Sequence, residues 1–533
     1  MGVTGRRRLG RRVSACGRSC LVLAVLLWLA LGTEAGTAVG RPAAASMEAS
    51  AGAAPPEWAG NAGSWPSHNY DLANTRATAR SPITSRNVSR LQVAWRFPFQ
   101  GSGLFGVYAS NPIVLDGTVY LQDLGSNVYA LDRDSGRLRW RRTFDRPSVG
   151  PNGVAYGWGL LFAATDTSIL ALDPRTGQTV WSRVLVRNNH EGIDIAPQLY
   201  DGTVVVSTVA GNLNTVSSAG AMGIVWALDA QTGEPKWQFN TVKDGDLWGN
   251  PEINSGGGLW YPPAVDGSGR VFLAVANPVP FPGTPEFPNG SSRPGPNLYT
   301  SSLVAVDGRT GRLLWYRQAV PHDLRDYDLQ DSPIVTTVTV GGVPTEIVLT
   351  AGKMGTVYAF RADDGQQLWQ RSVGRHQNDV GPLPDQMVTV FPGLLGGVET
   401  PMALAGGRVL APWVDFGTDI SSTAYGNPVA NIDQARGGLA AVDAASGTVL
   451  WQRALPQMPL GAATVANDVV FTSTYDGTIF AFEVSTGRTL WTATVRAGIN
   501  SFPAVDGDTL LVGAGTAGFF ANPVYELIAY RLG

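Results

Sequence analysis

The sequence is nearly devoid of cysteine, with two in 533 residues, Cys16 and Cys20, both close to the start. Everything after residue 20 therefore lacks a disulfide, a thiol nucleophile and a Cys-x-x-Cys-His haem attachment. Histidine is as sparse, at four residues, none spaced as zinc ligands. Charged residues make up 15% of the chain, too few for a coiled coil or a disordered polar tail. No phosphate loop, Gly-x-Ser-x-Gly elbow or His-Glu-x-x-His stretch occurs, so nucleotide hydrolysis, esterase and zinc-protease chemistry have no support. What the chain has in quantity is glycine (65), proline (35) and apolar residues (44%), the profile of a large, turn-rich all-β protein.

Charge is unevenly placed. Residues 1–40 hold six arginines (Arg6, Arg7, Arg8, Arg11, Arg12, Arg18) and one acid, Glu34. The remainder carries 33 basic and 41 acidic groups, which argues against nucleic-acid binding. An Arg-rich start, an apolar run over 21–31 and small residues at 33–36 read as an export signal spanning 1–40. Eleven apolar residues fall short of a ~30 Å hydrocarbon layer, so no transmembrane anchor is expected once the signal is removed. The expected location is secreted or periplasmic. An Ala-, Gly- and Pro-rich stretch over 41–57 reads as a linker, and 58–533 as one domain.

Seven segments repeat one pattern: LDRDSGRLRW ending at Trp140, LDPRTGQTVW at Trp181, LDAQTGEPKW at Trp237, VDGRTGRLLW at Trp315, FRADDGQQLW at Trp369, VDAASGTVLW at Trp451 and FEVSTGRTLW at Trp491. Glycine stands four residues before each Trp, with Ser, Thr or Asp just ahead of it. The spacing predicts a strand ending at the acid, a tight turn with glycine in the left-handed conformation, and a Trp on the returning strand. The closest repeats lie 40 and 41 residues apart, the length of one propeller blade. Such tryptophans are expected to be structural, packing blade against blade.

An eighth strand of this kind, LQVAWRF with Trp95, opens the domain without a preceding turn, and YELIAYRLG closes the chain without a following Trp. Together they predict that an N-terminal strand completes the last blade, giving an eight-bladed β-propeller of four-stranded antiparallel blades without free edges. Two intervals, Trp237 to Trp315 and Trp369 to Trp451, are about twice the usual length, and function is expected on those insertions.

Several stretches together resemble the quinoprotein alcohol dehydrogenases: GGGLW (256–260), AVANP (274–278), RPGPNLYTSSLVAVDGRTGRLLW (293–315), PHDLRDYD (321–328) and AGKMG (351–355). The opening SWPSHNYDLANTRATARSPITSRNVSRLQVAW is similar to the polyvinyl-alcohol dehydrogenase branch. The resemblance covers residues 60 to 533 and implies an eight-bladed propeller binding pyrroloquinoline quinone (PQQ) and a metal, Ca²⁺ or a lanthanide, on the ring axis. It places Trp260 under the quinone, Asn277 as an amide ligand of the metal, and Asp326 as catalytic carboxylate and metal ligand. Asp328 falls at the extra carboxylate of lanthanide-using relatives, and Lys353 at the cation facing the quinone oxygens. The implied chemistry is proton removal by Asp326 and hydride transfer from an alcohol to the quinone. Electrons would then leave to an external acceptor, since the chain has no haem motif.

Each residue also has a purely structural alternative. Asp326 and Asp328 could be turn acids, Asn277 the start of an Asn-Pro turn, Trp260 packing, and Lys353 a solvated surface lysine. His322 reads as a hydrogen-bonding residue rather than a ligand. The chain departs from the family where Ser218 replaces a metal-binding Glu, where PSVGPNGVAYG replaces an adjacent-cysteine disulfide, where Asn152 replaces an Arg, and where Arg325 replaces a Trp. Those departures keep open a second reading, a non-catalytic propeller that binds a protein or cell-envelope component.

Overall fold

Six of the seven repeats carry an acid at the end of the strand, Arg361 standing there in the fifth, and the acid's side chain organises the turn. Asp132, Asp229, Asp307 and Asp443 accept hydrogen bonds from the backbone N–H and the hydroxyl of the Ser or Thr three residues on. The glycine that follows takes φ between +67° and +71° in all seven repeats. It is required for a second reason. A Cβ at Gly136, Gly177, Gly233, Gly311, Gly365, Gly447 or Gly487 would lie 2.5–2.7 Å from the indole of the preceding blade's Trp. The indole N–H of that Trp donates to a carbonyl of the same turn region at 2.7–3.1 Å, from Trp95 onto Arg133 through Trp451 onto Val484. At the eighth junction Trp491 meets Tyr530 edge-on, 5.3 Å between centroids.

In all eight outer strands the pairing skips the residue just before the Trp. A β-bulge there swings the indole out of its own sheet towards the neighbour.

The structure is a computed structural model describing residues 53–61, 63–100, 105–212, 215–216 and 219–533, all within the compact unit Met47–Gly533. The expected signal, most of the expected linker and Ser218 lie outside the described residues. The architecture is an eight-bladed β-propeller. Seven blades follow in order over 113–142, 155–184, 198–240, 264–318, 334–372, 403–455 and 464–494. The eighth joins Ala504–Asp506, Thr509–Ala514 and Glu526–Leu532 to the N-terminal strand Leu91–Pro98, antiparallel with Leu91 opposite Leu532 and Pro98 opposite Glu526. Inner strands are buried on both faces, because adjoining blades cover them, while outer strands are largely exposed.

Residues 65–78 cross the centre of the ring. Carbonyls of Trp65, Leu72, Ala73, Thr75 and Arg76 accept from Val114, Val265, Val335, Leu404 and Val465, on the innermost strands of five blades. Arg76 is fully buried and donates to the carbonyls of His68, Ala463 and Pro503 and to Asn69, Asn111 and Thr464 side chains. A guanidinium can be buried only when its N–H groups are met in this way. Ahead of this plug, the short helix Pro56–Gly60 docks on the second blade through Trp58, whose indole N–H donates to the Tyr156 carbonyl at 2.8 Å. No helix among the described residues is long and apolar enough to cross a membrane.

Candidate active site

The insertions gather on the axis. Gly256, Gly257 and Gly258 run against Asn277: the Gly257 N–H donates to the Asn277 carbonyl, and the Ala276 N–H to the Gly258 carbonyl. A Cβ at Gly256 would lie 2.8 Å from that Asn277 carbonyl, so only glycine permits the approach. Two residues beyond the glycines, Trp260 is half-buried, packs with Tyr261, Ala462 and Phe502, and has a buried indole N–H without a partner. Beneath this aromatic group lies His68 of the central plug, 5.5 Å from Phe502 and 6.3 Å from Tyr261 between ring centroids.

Asp326 and Asp328 project from a turn built by Asp323, whose carboxylate accepts from the N–H groups of Arg325 (2.9 Å) and Tyr327 (2.7 Å). Asp326 has φ +63°, a left-handed position that Asp tolerates and that aims its side chain off the turn. Buried Arg293, in the RPGPN stretch, ties the Asp323 carbonyl to that of Pro280 and bonds Asn297 at 2.6 Å. Lys353 then joins the acids: its Nζ is 2.7 Å from Asp326 Oδ2 and 2.9 Å from Asp328 Oδ2. The other Asp328 oxygen accepts from the Asn277 N–H at 2.7 Å, and the Lys353 N–H donates to the Asp328 carbonyl.

The Lys353 side chain is 13% exposed and that of Asp328 1%, which removes the surface-lysine alternative and makes these acids more than solvated turn residues. Burial would lower the Lys353 pKa, but Asp326, Asp328 and Glu399 outweigh it and hold the ammonium charged. Four of the five sequence-selected residues thus share one hydrogen-bonded cluster, and Trp260 is joined to it through the glycine hairpin.

Sequence reasoning missed Glu399. Its Oε2 accepts from Gln330 at 2.9 Å, its carbonyl accepts from Tyr261 and Gln330, and its Oε1 is buried without a partner. Burial pushes its pKa up to about 7, moderated by Lys353. Nothing in the VET context around it marks a site; only the fold brings it under Lys353's field. Asp323 and Arg293 were also missed, although an Asp three residues ahead of the presumed base is a recognisable turn-building signal.

The departures other than Ser218, which lies outside the described residues, are accommodated structurally. Asn152 donates to the Asp123 carbonyl at 2.8 Å and keeps an unpartnered buried carbonyl oxygen. In place of a disulfide, Ser148 Oγ and the N–H groups of Val149 and Gly150 converge on one oxygen of buried Asp194. Arg325 donates to the carbonyls of Asn378, Val380 and Gly381, clamping the next insertion over the site. His322 contacts the carbonyls of Gly295 and Asn289 with its two ring nitrogens.

Among the described residues no group of three or more His, Cys, Asp or Glu side chains is arranged as a metal site. The donor chemistry nevertheless suits a hard cation, because two carboxylates adjoin one another, with Asn277 held against Asp328 through its backbone N–H and no soft ligand among them. The half-exposed indole face and unpartnered polar atoms beside it suit a flat polar cofactor. The residues present therefore fit the group implied by the sequence.

Residues 65–377 match the PQQ family model, described as the glucose/ethanol/alcohol dehydrogenase β-propeller domain. The chain belongs to this PQQ dehydrogenase family. Curated relatives of this PQQ-family propeller include the quinohemoprotein alcohol dehydrogenase of Comamonas testosteroni, 26% identical and spanning 83% of this chain and 71% of that protein. Another is quinoprotein alcohol dehydrogenase PedH of Pseudomonas putida, 27% identical over 79% of this chain and 80% of that protein. The fold matches the solved quinohemoprotein alcohol dehydrogenase ADHIIG of Pseudomonas putida HK5 with a TM-score of 0.77, at 24% identity, covering 89% of this chain and 81% of that one. Residues 413–523 also match a model described as the outer membrane protein assembly factor BamB.

Proposed function

We propose that this PQQ-family propeller is an exported alcohol dehydrogenase that oxidises a hydroxyl group and passes electrons to an external acceptor. The observation carrying this reading is the buried Asp326–Lys353–Asp328 cluster beside Asn277, on a chain of the PQQ dehydrogenase family. When bound, PQQ supplies an electrophilic carbonyl as the two-electron acceptor and Ca²⁺ or a lanthanide supplies Lewis acidity. Trp260 offers the planar surface on which a ring system stacks. Asn277, Asp326 and Asp328 supply the oxygen ligands. Asp326 accepts the substrate hydroxyl proton, and Lys353, 2.7 Å away, holds that carboxylate in position and opposes the rise that burial imposes on its pKa. On this reading the electron acceptor is a separate molecule, as the family resemblance implies.

Protein loaded with PQQ and Ca²⁺ or La³⁺ should reduce an artificial dye when given an alcohol. Asp326→Asn should lower turnover by about 10²–10⁴-fold with folding intact. Failure of a broad alcohol panel with both metals would sink the assignment. The BamB-like stretch over 413–523 favours the second reading, a binding propeller, which predicts a stable protein or envelope partner and no retained quinone absorbance. Export is tested by cell fractionation: full-length protein retained with the cytosol would exclude it.

A further inference from the structure

Above the base, the insertion of the sixth blade brings Tyr425 to the mouth of the site. Tyr425 stacks nearly parallel on Phe281, 5.8 Å between centroids at 17°. It bridges to Ile420, whose strand Thr418–Ile420 pairs with Val388–Val390. Beneath them Leu324, Leu383, Val390, Leu394 and Ile420 form one apolar cluster, against which Phe281 packs. Leu324 is two residues before Asp326, so the catalytic turn and the aromatic pair share the same floor. The Asp326 charge also contributes, after burial, to raising the Tyr425 pKa, which places the phenol within electrostatic reach of the base.

Despite this apolar footing Tyr425 is 45% exposed, leaving an open ring surface at the mouth of a buried site. Single exposed aromatics are common, but this one is stacked on Phe281, which packs on the buried cluster that holds Leu324 of the Asp326 turn. Neither Tyr425 nor Phe281 belongs to the ligands or to the cofactor-facing residues.

Resting on the proposed alcohol oxidation, we propose that Phe281 and Tyr425 form a shelf selecting alcohols whose carbinol carbon bears an aromatic ring or a long apolar chain. The hydroxyl enters towards Asp326 while the apolar group lies across the exposed phenol ring. A small alcohol such as ethanol cannot reach both and forgoes that contact.

The test compares kcat/KM for benzyl alcohol, 1-octanol and ethanol in the wild-type holoenzyme, Tyr425→Ala and Tyr425→Phe. The wild type should prefer the two larger alcohols, and Tyr425→Ala should reduce that preference about tenfold, mainly through KM. Tyr425→Phe, which keeps the ring, should retain the preference, and it remains informative should the alanine variant fold poorly. An unchanged ratio in Tyr425→Ala, a lost ratio in Tyr425→Phe, or a variant altered only in KM for the electron acceptor would overturn the shelf and leave the dehydrogenase assignment standing. Oxidation of none of the three alcohols by wild type would overturn both.

Discussion

Lys353→Met removes an ammonium from between two carboxylates while nearly preserving side-chain volume. The wild-type contacts are 2.7 and 2.9 Å, with side-chain exposures of 13% for Lys353, 15% for Asp326 and 1% for Asp328, so water screens them little. Stripping one partner from a buried ion pair costs about 3–5 kcal/mol, and because this lysine serves two acids the upper half of that range is expected. The loss should depend on pH in a defined direction. In the wild type burial already raises the Asp326 pKa with Lys353 opposing the shift, and without Lys353 burial and the Asp328 charge push it higher still, in the folded state only. The folded variant then holds a proton that the unfolded chain releases, so its stability falls as pH rises from the ordinary carboxylate range towards neutral. Urea unfolding followed by tryptophan fluorescence, in metal-free buffer at pH 5 and 7.5, measures both effects. The gap to wild type should be largest at pH 7.5 and shrink by at least about 1.4 kcal/mol, one pKa unit, at pH 5. A gap below about 1 kcal/mol, or one indifferent to pH, would refute the buried-cluster account.

Two further expectations test other parts of the argument. Gly311→Ala places a Cβ 2.7 Å from the Trp237 ring, whereas Gly341→Ala, also at positive φ, meets nothing within 4 Å. The first should destabilise by about 1–3 kcal/mol more than the second in thermal or denaturant unfolding; equal costs would show that turn conformation alone requires glycine in the repeat. Glu399, with its pKa raised to about 7, is protonated when folded between the ordinary carboxyl range and neutrality, so it makes the protein less stable as pH rises through that window. Glu399→Gln should remove about 1–3 kcal/mol of the difference in stability between pH 5 and 8, and an identical pH dependence in the two proteins would contradict the burial of this acid.

The departures from family pattern also gain a physical meaning. The PSVGPNGVAYG stretch is held by Ser148 and backbone N–H groups converging on Asp194, with no covalent clamp. Arg325 makes three hydrogen bonds to carbonyls of the insertion after the fifth blade and so ties that insertion to the turn of Asp326. Each of these substitutions is met by local hydrogen bonds, and the Asp326–Lys353–Asp328 core is intact.

Architecture was legible in the sequence because a blade is a local object. The acid, the hydroxyl residue, the glycine and the Trp act within ten residues, and their recurrence at 40–41 residues dictates stacked, mutually covering sheets. The closing strand could be inferred as well, since Trp95 lacks a turn before it and YELIAYRLG lacks a Trp after it. The bulge ahead of every Trp, and the stacking of each glycine on the preceding blade's indole, left no separate signal, because contacts between blades join residues 36 to 78 positions apart.

For the site, local motifs nominated Trp260, Asn277, Asp326, Asp328 and Lys353 through resemblance, but not their geometry. Lys353 could have been a solvated lysine; only the approach of the fifth blade to the turn of Asp323 buries it between two acids. Glu399, Arg293 and the Phe281–Tyr425 pair were invisible for the same reason, as their roles arise from segments 13 to 144 positions apart in the chain meeting on the axis. Short-range patterning thus determines which strands form and how blades repeat, while the electrostatics and apolar surface of the mouth exist only once the ring has closed and excluded water from charges that the linear chain leaves solvated.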